Sequence, residues 1–422
     1  MGKGTLSRRG FLVRAGALGA APVVVSASAL GADRSPPGDR LAMGFIGIGK
    51  QCAGHLGAML GRREVHVLAV CDVEEDKRLW AKGRVDSRYR NNECAAYNDF
   101  RRIVDRTDIE AVLIATPDHW HAIPTVRCAE AGKDIYCEKP LALTIREARA
   151  MVKAVRRYGR VFQTGSQQRS WANFRFACEM VRSGRIGKLR AVHVNVGGPS
   201  VDCHLPAEPV RKGVDWDMWL GPAPWRPFNS IICPPRGARG WPQWRRYRDY
   251  SGGGMTDMGA HHFDIAQWGM GTELTGPVEI IPPDGKEYRW LTFRYANGVL
   301  LHHGGSERSS ITFIGTEGKV FVGRGHLSTD PPEIMARPIS PREVHLYRSD
   351  NHHQNWLDCI RSRRRPVADV EIGCRSVSVC LLGNIAYMLK RPLRWDPGRE
   401  VFVGDDEANR WLDRPKREPW RL

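Results

Sequence analysis

The sequence predicts an α/β domain with a doubly wound parallel sheet, followed by an α+β domain whose sheet is open and mostly antiparallel. Three observations carry this. From Leu41 to Thr164, short apolar runs alternate with helix-like segments, the pattern of strand–helix–strand units. From Trp171 the texture changes to alternating strands interrupted by a long Pro/Trp/Arg-rich stretch, Gly197–Tyr250. A chain of 422 residues is also longer than one hydrophobic core usually serves. With 42% apolar and 26% charged residues, the composition is that of a globular protein rather than a disordered or fibrous one.

In chain order, residues 1–32 read as an export signal. Ser7-Arg8-Arg9-Gly10-Phe11-Leu12 is a twin-arginine pattern, followed by a weakly apolar Ala/Gly/Val stretch and the small-residue cleavage candidate Ala27-Ser28-Ala29. The apolar run is too short to form a stable membrane span. The expected destination is the periplasm or cell envelope, and residues 33–40 (DRSPPGDR) are a linker.

The net charge is +18. The basic residues are scattered apart from Arg361–Arg365, so the charge reads as a solvated surface and not as a nucleic-acid interface. Eleven cysteines with no CxxC pair or Cys/His spacing predict buried free thiols, Cys71, Cys137, Cys178 and Cys380 among them, rather than a disulfide framework or a zinc site.

Leu41–Gly49 (LAMGFIGIG) reads as a buried strand ending in Gly47-x-Gly49. A helix then runs to Leu60, and a second strand, Val65–Cys71, ends at Asp72. Strand, glycine turn, helix, strand and terminal acid form a dinucleotide-binding unit. The glycines admit a pyrophosphate at a helix amino end, and the acid takes ribose hydroxyls. Asp72, 25 residues after Gly47, repels a 2′-phosphate and so favours NAD over NADP. The usual third glycine falls on Cys52, which leaves the helix–strand packing open. Two more apolar strands end at Ala115 and Cys137, delivering Thr116-Pro117-Asp118-His119 and Glu138-Lys139-Pro140 to the carboxyl edge of the sheet, where ligands bind in such folds. Pro140 stops its strand. A last strand, Val161–Thr164, leads into Gln167 and Arg169, for about six strands in all, and residues 41–168 form the nucleotide-binding domain.

Residues 169–422 form the second domain, with helices over residues 350–390 packing back at the domain junction. Within it a helix is predicted over Thr256–Trp268. Asp257 and His261 stand four apart on one face of it, Asp264 continues that face and His262 lies beside it. An ionised carboxylate beside an imidazole suits proton abstraction. A capped helix start with satisfied histidines is the plain alternative, and a metal site a weaker one.

The order GIG, CDV, ATPDHWH, CEKPL and GGGMTDMGAHHFD resembles the glucose–fructose oxidoreductase/inositol dehydrogenase (Gfo/Idh/MocA) family, and the resemblance spans about Leu41 to the carboxyl end. It implies a Rossmann domain and an α+β domain whose sheet often forms an oligomer interface, so a homo-oligomer is expected. It also implies that Lys139 assists catalysis and that Asp257 and His261 match the family's acid and histidine. Cys52 and the paired His261-His262 depart from the pattern.

The resulting expectation is an NAD-dependent oxidoreductase of sugars, polyols or glycosides. His261 takes the hydroxyl proton, Asp257 orients it and Lys139 stabilises the alkoxide. Gly47, Gly49, Asp72, Thr116, Pro117, His119, Glu138 and Gln167 hold the cofactor. Arg169, Trp241, Trp244, Arg245 and His262 contact the substrate; for the tryptophans, core packing is an equal alternative. No metal is expected. A redox-neutral NAD-dependent glycoside hydrolase or lyase and a non-catalytic sugar-binding protein remain alternatives.

Overall fold

The computed structural model describes residues 40–307 and 309–422; the export signal and most of the linker lie outside the described residues. The first domain is a six-stranded parallel sheet: β1 Leu41–Ile46, β2 Val65–Cys71, β3 Ala95–Tyr97, β4 Ala111–Ile114, β5 Asp134–Cys137 and β6 Phe162–Thr164. Their spatial order is 3-2-1-4-5-6. β4 and β5 are buried at every residue, as a sheet covered on both faces requires. The crossover helices are α1 Lys50–Leu60, α2 Glu75–Tyr89, α3 Ala122–Glu130 and α4 Ile145–Arg157. Thr144 and Glu147 form a reciprocal capping box at the start of α4, satisfying amide groups the helix would leave open. The strand order reverses between β1 and β4, which opens a crevice at their carboxyl ends.

The second sheet has nine strands: β7 Leu189–Asn195, β8 Glu279–Ile281, β9 Leu291–Arg294, β10 Leu300–His303, β11 Ser310–Gly315, β12 Lys319–Gly323, β13 His326–Asp330, β14 Leu393–Asp396 and β15 Val401–Phe402. Their order is 13-12-11-7-10-9-8-14-15, and only the β7–β10 pair is parallel. The fold class is the one the sequence predicts. Helices α5 Ala172–Arg182, α6 Gly259–Met270, α7 His352–Ser362 and α8 Val370–Leu389 complete the domain.

α7 and α8 tie the halves together. Trp356 of α7 is fully buried in the cluster that holds Met43 and Phe45 of β1. His352 meets the Thr164 carbonyl at 2.8 Å. Gly373 of α8 lies so close to β6 that a Cβ there would sit 2.3 Å from the Thr164 hydroxyl. Among the described residues α8 is the one helix long and apolar enough to cross a membrane, and it is mostly buried inside the protein. The Pro/Trp/Arg-rich region forms a small core of its own, with Trp216 stacked on Trp219 (4.8 Å between centroids) and with Phe228, Trp244 and Tyr250. All eleven cysteines are free, and ten of them are buried.

Candidate active site

The crevice and the second domain enclose one cavity of about 770 Å³. On its first wall, Gly47 adopts φ +85°, and a Cβ there would lie 2.6 Å from the Thr116 amide nitrogen. Only glycine lets the ends of β1 and β4 approach this closely. Gly49 starts α1 with nothing nearer to its Cβ position than the Ala115 carbonyl, 4.0 Å away. Asp72 accepts from the backbone amides of Ile48 (2.6 Å) and Glu74 (2.8 Å), which locks the glycine turn to the end of β2. Cys52, in the place of the usual third glycine, is fully buried in α1; a side chain this small fills the helix–strand contact without displacing the helix.

Thr116, Pro117, Glu138 and Gln167 line the same cavity. The Glu138 carboxylate is buried in a polar nest: His55 meets it at 2.8 Å, and Gln167 donates to it at 2.8 Å. A Cβ at Gly165 would collide with that carboxylate at 2.6 Å, so glycine there makes room for it. Burial raises the Glu138 pKa, but the His55 contact and the Lys139 charge outweigh it and hold the carboxyl at about 2.

Lys139, Asp257 and His261, contributed by segments more than a hundred residues apart, also line this cavity. Lys139, at a cis Lys139-Pro140 bond, donates its ammonium to both the carboxylate and the backbone carbonyl of Asp257, each at 2.7 Å. The structure departs here from the predicted continuous helix. The Asp257 carbonyl, which would accept the His261 amide in such a helix, accepts from Lys139, and the His261 N–H bonds the Met258 carbonyl at 3.1 Å. The helix is interrupted at Met258 into a turn, Gly254–Asp257, and α6. The Asp257 carboxylate faces Lys139 and, at 3.5 Å, Arg245, and not His261 as one continuous face predicts. Burial raises its pKa, yet those two cations win and leave it lowered. His261 is 5% exposed with an unpartnered Nδ1. Burial, then the charges of Lys139 and Arg324, push its pKa well down, so it is a neutral imidazole.

Three predicted contacts lie elsewhere. Arg169 is 2% exposed and forms a two-pronged pair with Asp264, both contacts 2.8 Å. It fastens α6 from within and does not line the cavity. His262 points away from the cavity, fully buried with neither ring nitrogen bonded to another side chain, because successive helical residues face different directions. His119 packs behind the wall among Trp120, Trp219 and Tyr250, with Nε2 at 3.1 Å from the Trp219 carbonyl. Trp241, Trp244 and Arg245 do line the cavity, with the Arg245 guanidinium between the two rings at 4.6 and 4.5 Å.

Sequence reasoning missed other lining groups. His55 and Gln51 stand four apart on α1, a spacing that was there to be read. Asp118, hydrogen-bonded by Ser251 at 2.6 Å, is pushed by burial up to about 7. Arg324 caps the hairpin between β12 and β13. Residues 232–242 form a strap across the cleft, where the Lys50 ammonium bonds the Gly240 carbonyl at 3.0 Å and Arg236 lies over the Trp80 ring at 5.5 Å.

A glycine cradle that a Cβ would fill, an acid at the end of β2, and a cavity of this size fit a nicotinamide dinucleotide. Fold and site together define a two-domain protein of the dinucleotide-binding oxidoreductase class. Comparison narrows this. The NAD-binding Rossmann-fold model of the GFO_IDH_MocA oxidoreductase family matches residues 41–166, and its C-terminal alpha/beta domain model matches residues 199–422. The chain belongs to the Gfo/Idh/MocA oxidoreductase family. It is 25% identical to inositol 2-dehydrogenase 2 of Saccharopolyspora erythraea over 75% of this chain and 84% of that protein. It is 30% identical to the 2,7-anhydro-N-acetylneuraminate hydratase of Mediterraneibacter gnavus over 33% of this chain and 36% of that protein. Its fold matches the aldose-aldose oxidoreductase of Caulobacter crescentus with a TM-score of 0.59 at 19% identity, covering 84% of this chain and 99% of that one.

Proposed function

We propose that this protein oxidises a sugar or polyol hydroxyl with NAD and keeps that cofactor resident. The observation that carries the reading is the convergence of Lys139, Asp257 and His261 on the cavity that also holds the Gly47 turn. Gly47, Gly49, Asp72, Thr116, Pro117, Glu138 and Gln167 would hold the dinucleotide, and the Asp72 carboxylate favours NAD over NADP by repelling a 2′-phosphate. When bound, the nicotinamide supplies the acceptor for hydride from carbon.

The remaining chemistry belongs to side chains. Neutral His261 accepts the hydroxyl proton, and the Lys139 ammonium stabilises the oxygen as negative charge develops. Asp257 holds Lys139 in place and keeps its charge balanced. The strap limits escape of the cofactor, which supports a cycle in which the hydride returns to a second carbonyl or to the oxidised intermediate. The redox-neutral reading uses the same residues and draws support from the hydratase relative.

Twin-arginine export of residues 1–32 suits a folded protein carrying its cofactor to a compartment without a maintained nicotinamide pool. Association of copies through the nine-stranded sheet is part of the same proposal. Native mass spectrometry of the purified protein, followed by a sugar and glycoside panel, tests the function. NAD found bound and reduced by a sugar supports it. Empty protein that releases stoichiometric NADH into solution overturns cofactor residency.

A further inference from the structure

Charge at the catalytic end of the cavity is unbalanced. Lys139 and Asp257 close one pair at 2.7 Å. Two guanidinium groups, Arg245 and Arg324, line the same space. Arg245 approaches Asp257 only at 3.5 Å, behind the closer lysine. Its plane is held between Trp241 and Trp244, which fixes the fork without neutralising it. Arg324 rises from the Gly323–Gly325 tip over the Trp171 ring at 5.8 Å, and among the described residues no carboxylate forms an ion pair with it. Burial lowers its pKa, and the charge of Asp257 offsets this only in part. Two further acids line this end of the cavity: Glu138, whose carboxylate is engaged by His55 and Gln167, and Asp118, which is half neutral near pH 7. The cations still outnumber the ionised acids.

The dinucleotide phosphates do not account for this surplus. Their turn at Gly47–Gly49 is followed directly by Lys50, and the strap over it adds Arg236 and Arg239 to the lining. Trp241 stands between the two groups, with Lys50 at 5.4 Å from its centroid and Arg245 at 4.6 Å. Arg324 acts on His261 instead, as the third cause of its lowered pKa after burial and Lys139.

We propose that the substrate is an anionic sugar, one bearing a carboxylate or phosphate held by Arg245 and Arg324 beside the hydroxyl to be oxidised; this rests on the oxidoreductase reading above. A planar guanidinium fork matches either oxyanion in a two-pronged contact. The reaction balances as before: the C–H bond yields its hydride to the nicotinamide, the O–H yields its proton to His261, and a C=O forms. The anionic group serves as a handle and emerges unchanged.

The test uses the holoenzyme at fixed ionic strength, following reduction of the bound cofactor by glucuronate against glucose, galacturonate against galactose, and glucose 6-phosphate. One of the anionic sugars should exceed its neutral counterpart in kcat/KM by about tenfold or more, and which one names the handle. Arg324→Gln and Arg245→Gln should each cut that ratio about tenfold, with Arg324→Lys restoring part of it and bound nucleotide content unchanged by mass spectrometry. Neutral sugars oxidised as well as the acids, or a ratio unmoved by Arg324→Gln, overturn the proposal and leave the oxidoreductase reading standing. Calorimetric binding of an anionic sugar that Arg324→Gln abolishes, with no reduction by any sugar, retains the anionic ligand and removes the oxidoreductase reading. Neither binding nor reduction overturns both.

Discussion

The two walls of the cavity are built on different principles. The nucleotide wall is backbone: a left-handed glycine at Gly47, the Ile48 amide bonded to Asp72, and strand ends pressed together at Thr116. The wall proposed as catalytic is side-chain charge, with Lys139, Asp257 and Arg245 placed by segments distant in sequence. A wall of backbone shape is fixed once its strands pair. A wall of charges depends on each partner being present and on its protonation state.

Separate substitutions break this contrast in order of expected effect. Lys139→Ala should lower turnover by roughly 10²–10⁴-fold, the contribution of a positioned proton-transfer group, while native mass spectrometry still finds the nucleotide bound. Loss of nucleotide in step with turnover would mean that the walls are not separable.

Gly47→Ala should do the reverse. A methyl group aimed at the Thr116 amide, at positive φ, should weaken nucleotide affinity by about 10–100-fold while circular dichroism stays native. Unchanged affinity removes the cradle argument.

His261→Ala and His262→Ala sharpen the comparison within the catalytic wall. The first should reduce kcat about 10²-fold or more with little change in melting temperature. The second, buried away from the cavity, should lower melting temperature and leave per-molecule turnover near normal. The opposite outcome reassigns the base.

The smallest effect is on pH. Burial raises Asp118 from the usual 3.8 to about 7, so the folded state binds its proton more tightly than the unfolded chain. That contribution to stability is full below about pH 4 and is lost as pH rises through about 7. Asp118→Asn keeps an acceptor for Ser251 and should flatten this decline in denaturant titrations across that range. A decline that persists assigns it to another group.

The same difference governs what the sequence discloses. Gly47, Asp72 and the strands beside them were legible because each signal is local: an apolar run, a glycine turn, an acid at a strand end. Lys139, Asp257 and His261 were recognisable as residues, but their arrangement was not. The break at Met258 sits beside an Asp257 carbonyl that meets a lysine over a hundred positions away, and no helical spacing records that. Arg169 is attractive in sequence for its place after Gln167, yet Asp264 claims it in the core. The short strands β8, β14 and β15 hold too few residues for an alternation to register, and the strap at 232–242 reads as plain Pro/Gly loop until its path over the cleft is known.

The Lys139–Asp257 contact has a bearing on how such chains diversify. Its lysine comes from the first domain and both of its acceptors from the second. Shuffling the second domain onto a new nucleotide-binding half would preserve both cores and still lose the pair unless the turn at Gly254–Asp257 arrives in register with the β5 terminus. Inheritance of the active site is therefore inheritance of the domain junction. On the proposed function, new substrates are more readily reached by varying the arginines and tryptophans that line the cavity at that junction than by exchanging either half.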